Sequence, residues 1–351
     1  MRQMRTILGL VVAGAAAACG GAEAPPPRGT VNQDGSKAEG ARVESGTRCS
    51  RYEDWSYTLD PAISCDAARA LVKSDCGTKI CGEPGVSCSA IDATGQPYFF
   101  QGADTPVQPC ASGGPRPTEV RCRKGLRDDG CAIEGRRTDG LHPVEVDSFA
   151  TVAGYFANAA HLEAAAVLAF DRLAVELRGH GAPPALLGRL RRAAREERRH
   201  VEIASALARR FGAEPLGASA EPFAPRSLVD IARENVVEGV VRETFGAALA
   251  LYRGEHAHDA HVRASLAEIA EDECRHAQLS WDLHAWLWES LDEAERRDVE
   301  AARLHAMSEL RDALRMEPAD ELVMVAGVPR SAEALTMWSG LFDQAWSAMA
   351  A

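Results

Sequence analysis

Three features that would point to common functions are missing from this 351-residue chain. It has no excess of positive charge, because 39 lysines and arginines stand against 51 aspartates and glutamates, a formal net charge of −12. Binding to nucleic acid needs a concentrated basic face, so that function is not expected. No apolar run reaches the ~18 residues of a membrane-spanning helix. No Cys-x-x-Cys pair occurs, which argues against zinc-ribbon and rubredoxin sites.

The first residues have the pattern of an export signal. Arg2 and Arg5 precede a short apolar stretch, and Cys19 follows three alanines. This pattern predicts a signal peptide over residues 1–18. The alanines and Cys19 resemble a bacterial lipobox, which predicts lipidation of Cys19; ordinary signal cleavage is the alternative. The chain is thus expected to be an exported bacterial lipoprotein, anchored to a membrane and facing the periplasm or the cell surface, with residues 19–48 as a flexible tether.

The segment 49–140 is rich in cysteine. Nine of the ten cysteines lie within the first 131 residues, and eight of these follow the tether. An even number of cysteines in a short exported segment predicts a disulfide framework, whose connectivity the sequence leaves open. We expect a small, irregular domain with a structural or contact role. The candidate disulfide cysteines are Cys49, Cys65, Cys76, Cys81, Cys88, Cys110, Cys122 and Cys131.

From about residue 147 the sequence changes to alanine, leucine, arginine and glutamate with helical periodicity. Short connections join the first predicted helix to the second and the third to the fourth, so each pair should be antiparallel neighbours. Residues 212–227 are long enough to cross a whole bundle. We therefore predict an all-α, four-helix bundle over 147–290, with a long crossover between helices two and three, and extra helices over 291–351. The four helices are predicted at about 148–178, 184–211, 228–252 and 259–288.

Each of the four predicted helices carries a glutamate where an apolar residue is due. Glu163 and Glu238 each precede a phenylalanine by seven residues, Phe170 and Phe245. The other two helices each contain a Glu-x-x-His motif, and the repeated spacing indicates an internal duplication of a helical hairpin. These residues fall near the helix midpoints, so they are expected to converge in the apolar core. The two motifs are Glu197 with His200 and Glu273 with His276.

Ionised glutamates that converge in an apolar core need compensation. Desolvation and mutual repulsion make a buried cluster of carboxylates prohibitive. Two divalent cations would cancel the charge; protonated carboxyl groups or arginine partners such as Arg242 are the alternatives. Oxygen-rich ligation with one imidazole for each cation suits two iron or manganese ions. The predicted metal ligands are Glu163, Glu197, His200, Glu238, Glu273 and His276.

This set of residues resembles the ferritin-like di-metal carboxylate superfamily, which includes rubrerythrins, bacterioferritins and di-iron oxygenases. In that superfamily two helices each provide a glutamate and two others each provide Glu-x-x-His. The resemblance implies bridging roles for Glu197 and Glu273. The terminal ligands that it implies are Glu163, Glu238, His200 and His276.

Other polar residues near the motifs are interpreted as structural. Glu243 should lie ~140° around the helix from Glu238, at ~100° per residue. Glu196 and Asp272 flank the motifs and are expected to meet solvent or arginines. Cys274 should point away from the cations and pack as a small apolar residue.

The leading functional hypothesis is an envelope-anchored di-metal oxidoreductase that oxidises iron or a small substrate with O2 or peroxide. Phe170 and Phe245 stand where many relatives carry a redox-active tyrosine, so tyrosine chemistry is not expected. Without rubredoxin-type cysteines, an external electron donor is required. The alternative is a non-catalytic lipoprotein whose helical bundle scaffolds the cysteine-rich module for an envelope protein partner. No catalytic residue is identified beyond the metal ligands.

Overall fold

The computed structural model describes most of the chain. Most described residues are helical, and a small sheet lies in the N-terminal part. The predicted helical class is thereby confirmed, whereas strands were not expected in the cysteine-rich part. The residues described are Thr6, Leu8, 28–31, 37–38, 43–47, 50–59, 80–81, 86–91, 97–100, 117–126, 135–142, 144 and 151–346.

The first two long helices pack against each other. Helix α1 spans Val152–Gly179 and helix α2 spans Pro184–Arg210. Thr151 caps α1 by accepting a hydrogen bond from the Gly154 N–H, so the helix begins four residues after the predicted start. Proline opens α2, where its missing N–H would have had no helical partner. The turn between the helices contains Gly181 at φ 76°, a left-handed conformation that favours glycine.

The third long helix is continuous but not regular. It consists of α3 (Leu228–Glu234), a π-helix that we call π1 (Asn235–Glu243) and α4 (Thr244–His256). The Ser227 side chain caps its start by accepting from the Asp230 N–H. A π-helix widens the turn, because each N–H bonds five residues back instead of four. The segment 235–243 contains four valines and a glycine, which are poor α-helix formers.

Helix α5 (Ala260–Ser290) packs against π1, α4 and α2. Asp259 caps its start by accepting from two backbone N–H groups. The core between these helices is apolar, and its large side chains, among them Phe170, Leu190, Phe245 and Leu283, are fully buried. Each such side chain contributes about 1.5–3 kcal/mol of burial free energy. Among the described residues, no helix is both long and apolar enough to cross a bilayer.

The C-terminal helices cover the third helix. Helix α6 (Glu293–Ala313) starts with a capping box of Asp292 and Glu295 and packs on α3 and π1. The short helix α7 spans Asp320–Ala326. Helix α8 (Ser331–Leu341) runs into a short π-helical turn, Phe342–Trp346. The indole N–H of Trp346 donates to the Val240 carbonyl of π1 at 3.0 Å.

The N-terminal sheet has the strand order β2-β1-β4-β7-β5-β6, with β3 paired to β4. Strands β1 and β4 are parallel, and the other pairs are antiparallel. Three strands therefore fall within residues 19–48, where a tether was predicted. The strands are β1 (Arg28–Val31), β2 (Lys37–Ala38), β3 (Val43–Thr47), β4 (Ser50–Thr58), β5 (Ser87–Ile91), β6 (Pro97–Phe100) and β7 (Glu119–Leu126).

Disulfide chemistry is present in this sheet. A disulfide joins Cys81 to Cys122, and Cys88 is also disulfide-bonded. These cysteines pack with Trp55 and Val120 in a small apolar cluster. The other predicted cysteines lie outside the described residues, as does the predicted signal peptide apart from Thr6 and Leu8. Those cysteines are Cys19, Cys49, Cys65, Cys76, Cys110 and Cys131.

The segment that follows the sheet lies on the helical part. In segment 135–142, Leu141 forms a β-bridge with Ala220 in the connection between α2 and α3. The Arg172 guanidinium of α1 donates to the Thr138 hydroxyl at 3.3 Å. The end of the predicted cysteine-rich module is thus attached to the long helices.

Candidate metal centre

The two Glu-x-x-His motifs face each other across the core, on α2 and α5. Residues three apart share one helix face, so each glutamate and its histidine point the same way. His200 and His276 are 0% and 1% exposed, and their ring centroids lie 5.8 Å apart. Glu197 is equally inaccessible, with 2% of its side chain exposed. Glu273 is 15% exposed, so three of the four motif side chains are almost fully buried and the motifs meet in the interior, as the duplication predicts.

One group of ligand atoms surrounds His200, and we call it group one. Its members are Glu163, Glu197, His200 and Glu273, whose ligand atoms all lie within 4.8 Å of one another. From His200 Nδ1 the distances are 3.5 Å to Glu163 Oε2, 3.3 Å to Glu197 Oε2 and 3.1 Å to Glu273 Oε1. Three helices contribute to it: α1, α2 and α5. Such a group of carboxylates and an imidazole could hold a metal ion.

A second group lies next to the first, and we call it group two. It consists of Glu243, Glu273 and His276, again with ligand atoms within 4.8 Å. His276 Nδ1 lies 3.6 Å from Glu273 Oε1 and 2.9 Å from Glu197 Oε1. Glu273 thus belongs to both groups, and Glu197 contacts both histidines. The two glutamates that the resemblance made bridging ligands are those that lie between the groups.

The structure does not bring Glu238 into either group. One of its carboxylate oxygens accepts a hydrogen bond from the Arg137 backbone N–H at 3.1 Å, and the other lies 3.6 Å from Arg242 Nε. Glu243, interpreted as structural from the sequence, takes its place. The cause is π1, because its wider turn changes the direction in which each side chain points from the direction expected for an α-helix. The valine-rich, glycine-containing stretch around Glu238 was the available signal.

Two outer carboxylates contact the Nε2 atoms of the histidines, whereas the Nδ1 atoms face the two groups. Glu196 Oε2 lies 3.0 Å from His276 Nε2, and Asp272 Oδ2 lies 3.2 Å from His200 Nε2. Each carboxylate precedes the motif of one hairpin and contacts the histidine of the other. An imidazole that donates from Nε2 keeps the Nδ1 lone pair for the groups.

Arginines also contact these outer carboxylates, as expected from the sequence. Arg192 and Arg275 each donate to Glu196 at 2.8 Å. Arg199 and Arg275 pair with Asp272. The contact with the histidines was missed because it depends on how the two hairpins pack.

Burial and mutual charge divide the carboxylates of the cluster. Burial raises the pKa of Glu163 well above its usual range and that of Glu243 to about 8. The histidines hold the pKa of Glu197 and Glu273 below the ordinary value, against the effect of burial. Without cations, groups one and two therefore balance part of their charge by retaining protons on some carboxyl groups.

The histidines titrate in the opposite sense from ordinary buried histidines. Burial alone would lower the pKa of His200 and His276, because it penalises the charged imidazolium. The adjacent carboxylates outweigh this and raise the pKa of both rings. Positive charge is thus favoured at the two positions where the groups lie.

Four buried atoms in the cluster have no hydrogen-bond partner. They belong to residues of both groups, and each is an atom type that ligates metal ions. Although His276 Nδ1 and Glu197 Oε1 are only 2.9 Å apart, their orientation does not form a hydrogen bond. Buried polar atoms are normally satisfied, so their number at one place fits the donor set of bound cations. The atoms are Glu197 Oε2, His200 Nδ1, Glu243 Oε2 and His276 Nδ1.

A cavity of about 50 Å³ adjoins both groups. Glu163, Glu197, Glu243 and Glu273 are among the residues that line it. The remaining wall is mainly apolar, and includes Phe156, Leu207, Leu266 and Ile269. The cavity was not predicted, because the pattern of apolar residues indicates which side chains face inward but not how much space lies between them.

Two neighbouring residues are as the sequence predicted. Cys274 is 7% exposed and packs in the apolar core. Phe170 is fully buried, with its ring centroid 5.4 Å from that of His276. An inert aromatic ring therefore lies beside the second histidine.

Comparisons of this chain with protein-family models, with curated proteins and with solved structures give no match. What the cluster can bind is therefore inferred from its own residues and their geometry.

Proposed function

We propose that residues 147–290 form a ferritin-like four-helix bundle that binds two cations, iron or manganese, in its core. The pairing of α1 with α2 and of α4 with α5 supports this proposal. So does the arrangement of two adjacent ligand groups that share Glu273. Glu243 replaces Glu238 in the ligand set that the resemblance implied.

The observation that carries the proposal is the four buried ligand atoms without hydrogen-bond partners. Burying a polar atom without a partner costs about 1–3 kcal/mol, so four of them at one site would be a large penalty. Two divalent cations would satisfy all four atoms. They would also balance the four inner carboxylates, Glu163, Glu197, Glu243 and Glu273. Carboxylate-rich ligation with imidazole and no thiolate favours iron or manganese.

The proposed activity is oxidation of iron or of a small substrate by O2 or peroxide. Bound iron or manganese would supply the redox chemistry. The six residues of the two groups would hold the cations. Glu196 and Asp272 would orient the histidines, and apolar side chains would form most of the wall beside the site. The small cavity beside the carboxylates suits O2, peroxide or another small molecule. Electrons come from an external donor.

The cellular setting is part of the proposal. The N-terminal pattern supports export and lipid anchoring at Cys19, which would attach the protein to a bacterial membrane. The cysteine-rich part would then lie between the anchor and the helices, where it could contact an envelope protein.

Metal analysis with a matched pair of variants tests this function. Protein purified without oxygen should contain about two irons or manganese ions per chain and consume O2. Glu197→Ala with Glu273→Ala removes the two central carboxylates and should abolish metal uptake while the helices stay folded. Glu202→Ala with Glu271→Ala removes two exposed glutamates from the same helices and should change nothing. Unchanged metal content in the first double variant contradicts the proposal.

A second candidate is the non-catalytic scaffold, and the raised pKa values of His200 and His276 favour it. Two imidazolium rings among the carboxylates can compensate part of the buried charge without any cation. In that case the bundle would present the cysteine-rich module to an envelope partner. A fully folded protein that takes up no iron or manganese, even when both are supplied, identifies this function.

A further inference from the structure

Segment 135–142 carries an arginine into the core beside the π-helix. Arg136 is 1% exposed. Its Nη2 donates to Asn235 Oδ1 at 2.9 Å, and its Nη1 donates to Ser280 Oγ at 3.2 Å. The guanidinium also lies 5.4 Å from the ring centroid of Phe170. One side chain from outside the long helices thus joins π1, α5 and α1.

The π-helix is shaped to receive this guanidinium. A Cβ atom at Gly239 would lie 2.8 Å from Arg136 Nη1, and equally close to Asn235 Oδ1 and Ser280 Cβ. Asn235 Nδ2 donates to the Ser280 carbonyl at 3.0 Å, and Ser280 Oγ donates to the His276 carbonyl at 3.0 Å. A chain of hydrogen bonds therefore leads from Arg136 to the backbone of a predicted ligand.

The charge of the guanidinium also fits this place. A buried arginine is tolerated only where hydrogen bonds and opposite charge compensate its desolvation. Burial raises the pKa of both Glu238 and Glu243, and the positive charge of Arg136 works against this rise in each case. The positive charge of Arg136 thus acts on Glu243, which belongs to group two, and on Glu238, which does not.

We propose that Arg136 is a positioning residue for group two. Its hydrogen bonds hold π1 in the register that turns Glu243, instead of Glu238, toward the other ligands. The inference rests on the proposed metal-binding function and adds a dependence to it. Group two is complete only when segment 135–142 is docked on the helices, so the end of the cysteine-rich part controls the second cation.

Hydrogen exchange of the metal-free full chain tests the register directly. Arg136→Met removes both donors and keeps an unbranched apolar side chain. The amides of residues 235–243 should then exchange about tenfold faster, the effect of losing hydrogen bonds to a charged group. Amides in the middle of α2 should not change. Unchanged exchange in 235–243 overturns the proposal, whether or not the cluster binds cations.

Titration with Mn²⁺, followed by electron paramagnetic resonance, tests the consequence for metal binding. The unmodified protein should bind two Mn²⁺ with a spin-coupled signal. Arg136→Met should bind one, with the six-line signal of an isolated ion. A retained coupled pair in this variant contradicts the inference. Failure of the unmodified protein to bind Mn²⁺ or iron defeats the proposed function instead, and hydrogen exchange still decides the register.

Three variants separate positioning from general stability. Arg136→Lys keeps the charge and a donor, so it should restore part of the coupled signal. Arg210→Met breaks a part-buried pair with Asp259, formed at 2.8 Å, and should leave two coupled Mn²⁺. If Arg136→Met does not fold, Gly239→Ala provides a second test, because its added methyl group would lie 2.8 Å from Arg136 Nη1 and would displace the guanidinium. Loss of coupling in Arg210→Met as well would contradict a specific role for Arg136.

Discussion

The two ligand groups come from duplicated hairpins, yet they are built differently. Group one takes Glu163 from the regular helix α1, and 21% of this side chain is exposed. Group two takes Glu243 from a π-helix, and this residue is 2% exposed. The motif helices α2 and α5 retain the repeat, including the outer carboxylates Glu196 and Asp272. The duplicated pattern is therefore preserved in the motif helices α2 and α5. It is altered in the third helix, where a π-helix changes which glutamate faces the site.

The largest expected effect follows from the choice between Glu243 and Glu238. Glu243→Gln should lower the Mn²⁺ stoichiometry from two to one, because the amide cannot supply the negative charge that group two needs. Glu238→Gln is the matched control, since it changes another glutamate of the same π-helix, one whose side chain is only 14% exposed. It should leave two ions bound. The opposite result would mean that Glu238 is the ligand of group two, at the position that a regular α-helix would give it. The two groups would then be built alike.

The outer carboxylates, Glu196 and Asp272, test the part of the site that is the same in both hairpins. Glu196→Ala removes the contact with His276, and Asp272→Ala removes the contact with His200. Each should lower the affinity for one cation by about 10–100-fold, because the imidazole loses its orienting partner. Isothermal titration with Mn²⁺ measures this. An equal loss at both cation sites from either variant would show that the outer contacts are not specific to one group.

Two glycines sharpen the contrast between regular and π-helical segments. Gly188 in α2 has open space around its Cβ position, so Gly188→Ala should raise the free energy of unfolding by up to about 1 kcal/mol. Gly239→Ala should lower it by about 1–3 kcal/mol, because the methyl group meets packed atoms. Denaturant unfolding of the metal-free variants gives both values. Stabilisation by Gly239→Ala would contradict the close packing of π1.

The pH dependence of the metal-free protein has a defined sign. Burial raises the pKa of Glu163 and Glu243, and the carboxylates raise that of His200 and His276. Groups with a raised pKa keep protons that the unfolded chain has lost. Their contribution to stability is full below pH ~4.3 for the glutamates and ~6.5 for the histidines, and it falls as the pH rises through the folded values.

Cation binding should show the opposite trend with pH. Cations displace the retained protons, so the affinity should rise by up to about tenfold per pH unit for each proton released. Glu243 contributes to this rise up to about pH 8, where it ionises without a cation. Mn²⁺ titrations in buffers with different enthalpies of ionisation count the protons. An affinity that does not change with pH would contradict the protonation of the metal-free cluster.

The sequence predicted the features that depend on period and repetition. Helical spacing places four long helices, and the duplicated motifs predict that Glu197, His200, Glu273 and His276 meet in the core. Glu163 is correctly positioned because α1 is regular from end to end. Glu243 could not be identified in this way, because its angular position depends on π1, and π1 depends on contacts with residues distant in the sequence.

The N-terminal part was less accessible to the same reasoning. Cysteine count and spacing predict disulfides, but the strands pair across large distances in the sequence. Strand β4 pairs with β7, and Trp55 lies opposite Cys122 in this register. Arg136 was missed for the same reason, since nothing in its local sequence indicates that it inserts between helices.

Anomalous diffraction from crystals of protein loaded with iron or manganese would locate the bound cations. We expect two peaks in the core, one beside His200 and one beside His276, with Glu273 between them and Glu243 as a ligand. The absence of peaks in the core, a single peak, or ligation by Glu238 would contradict this expectation.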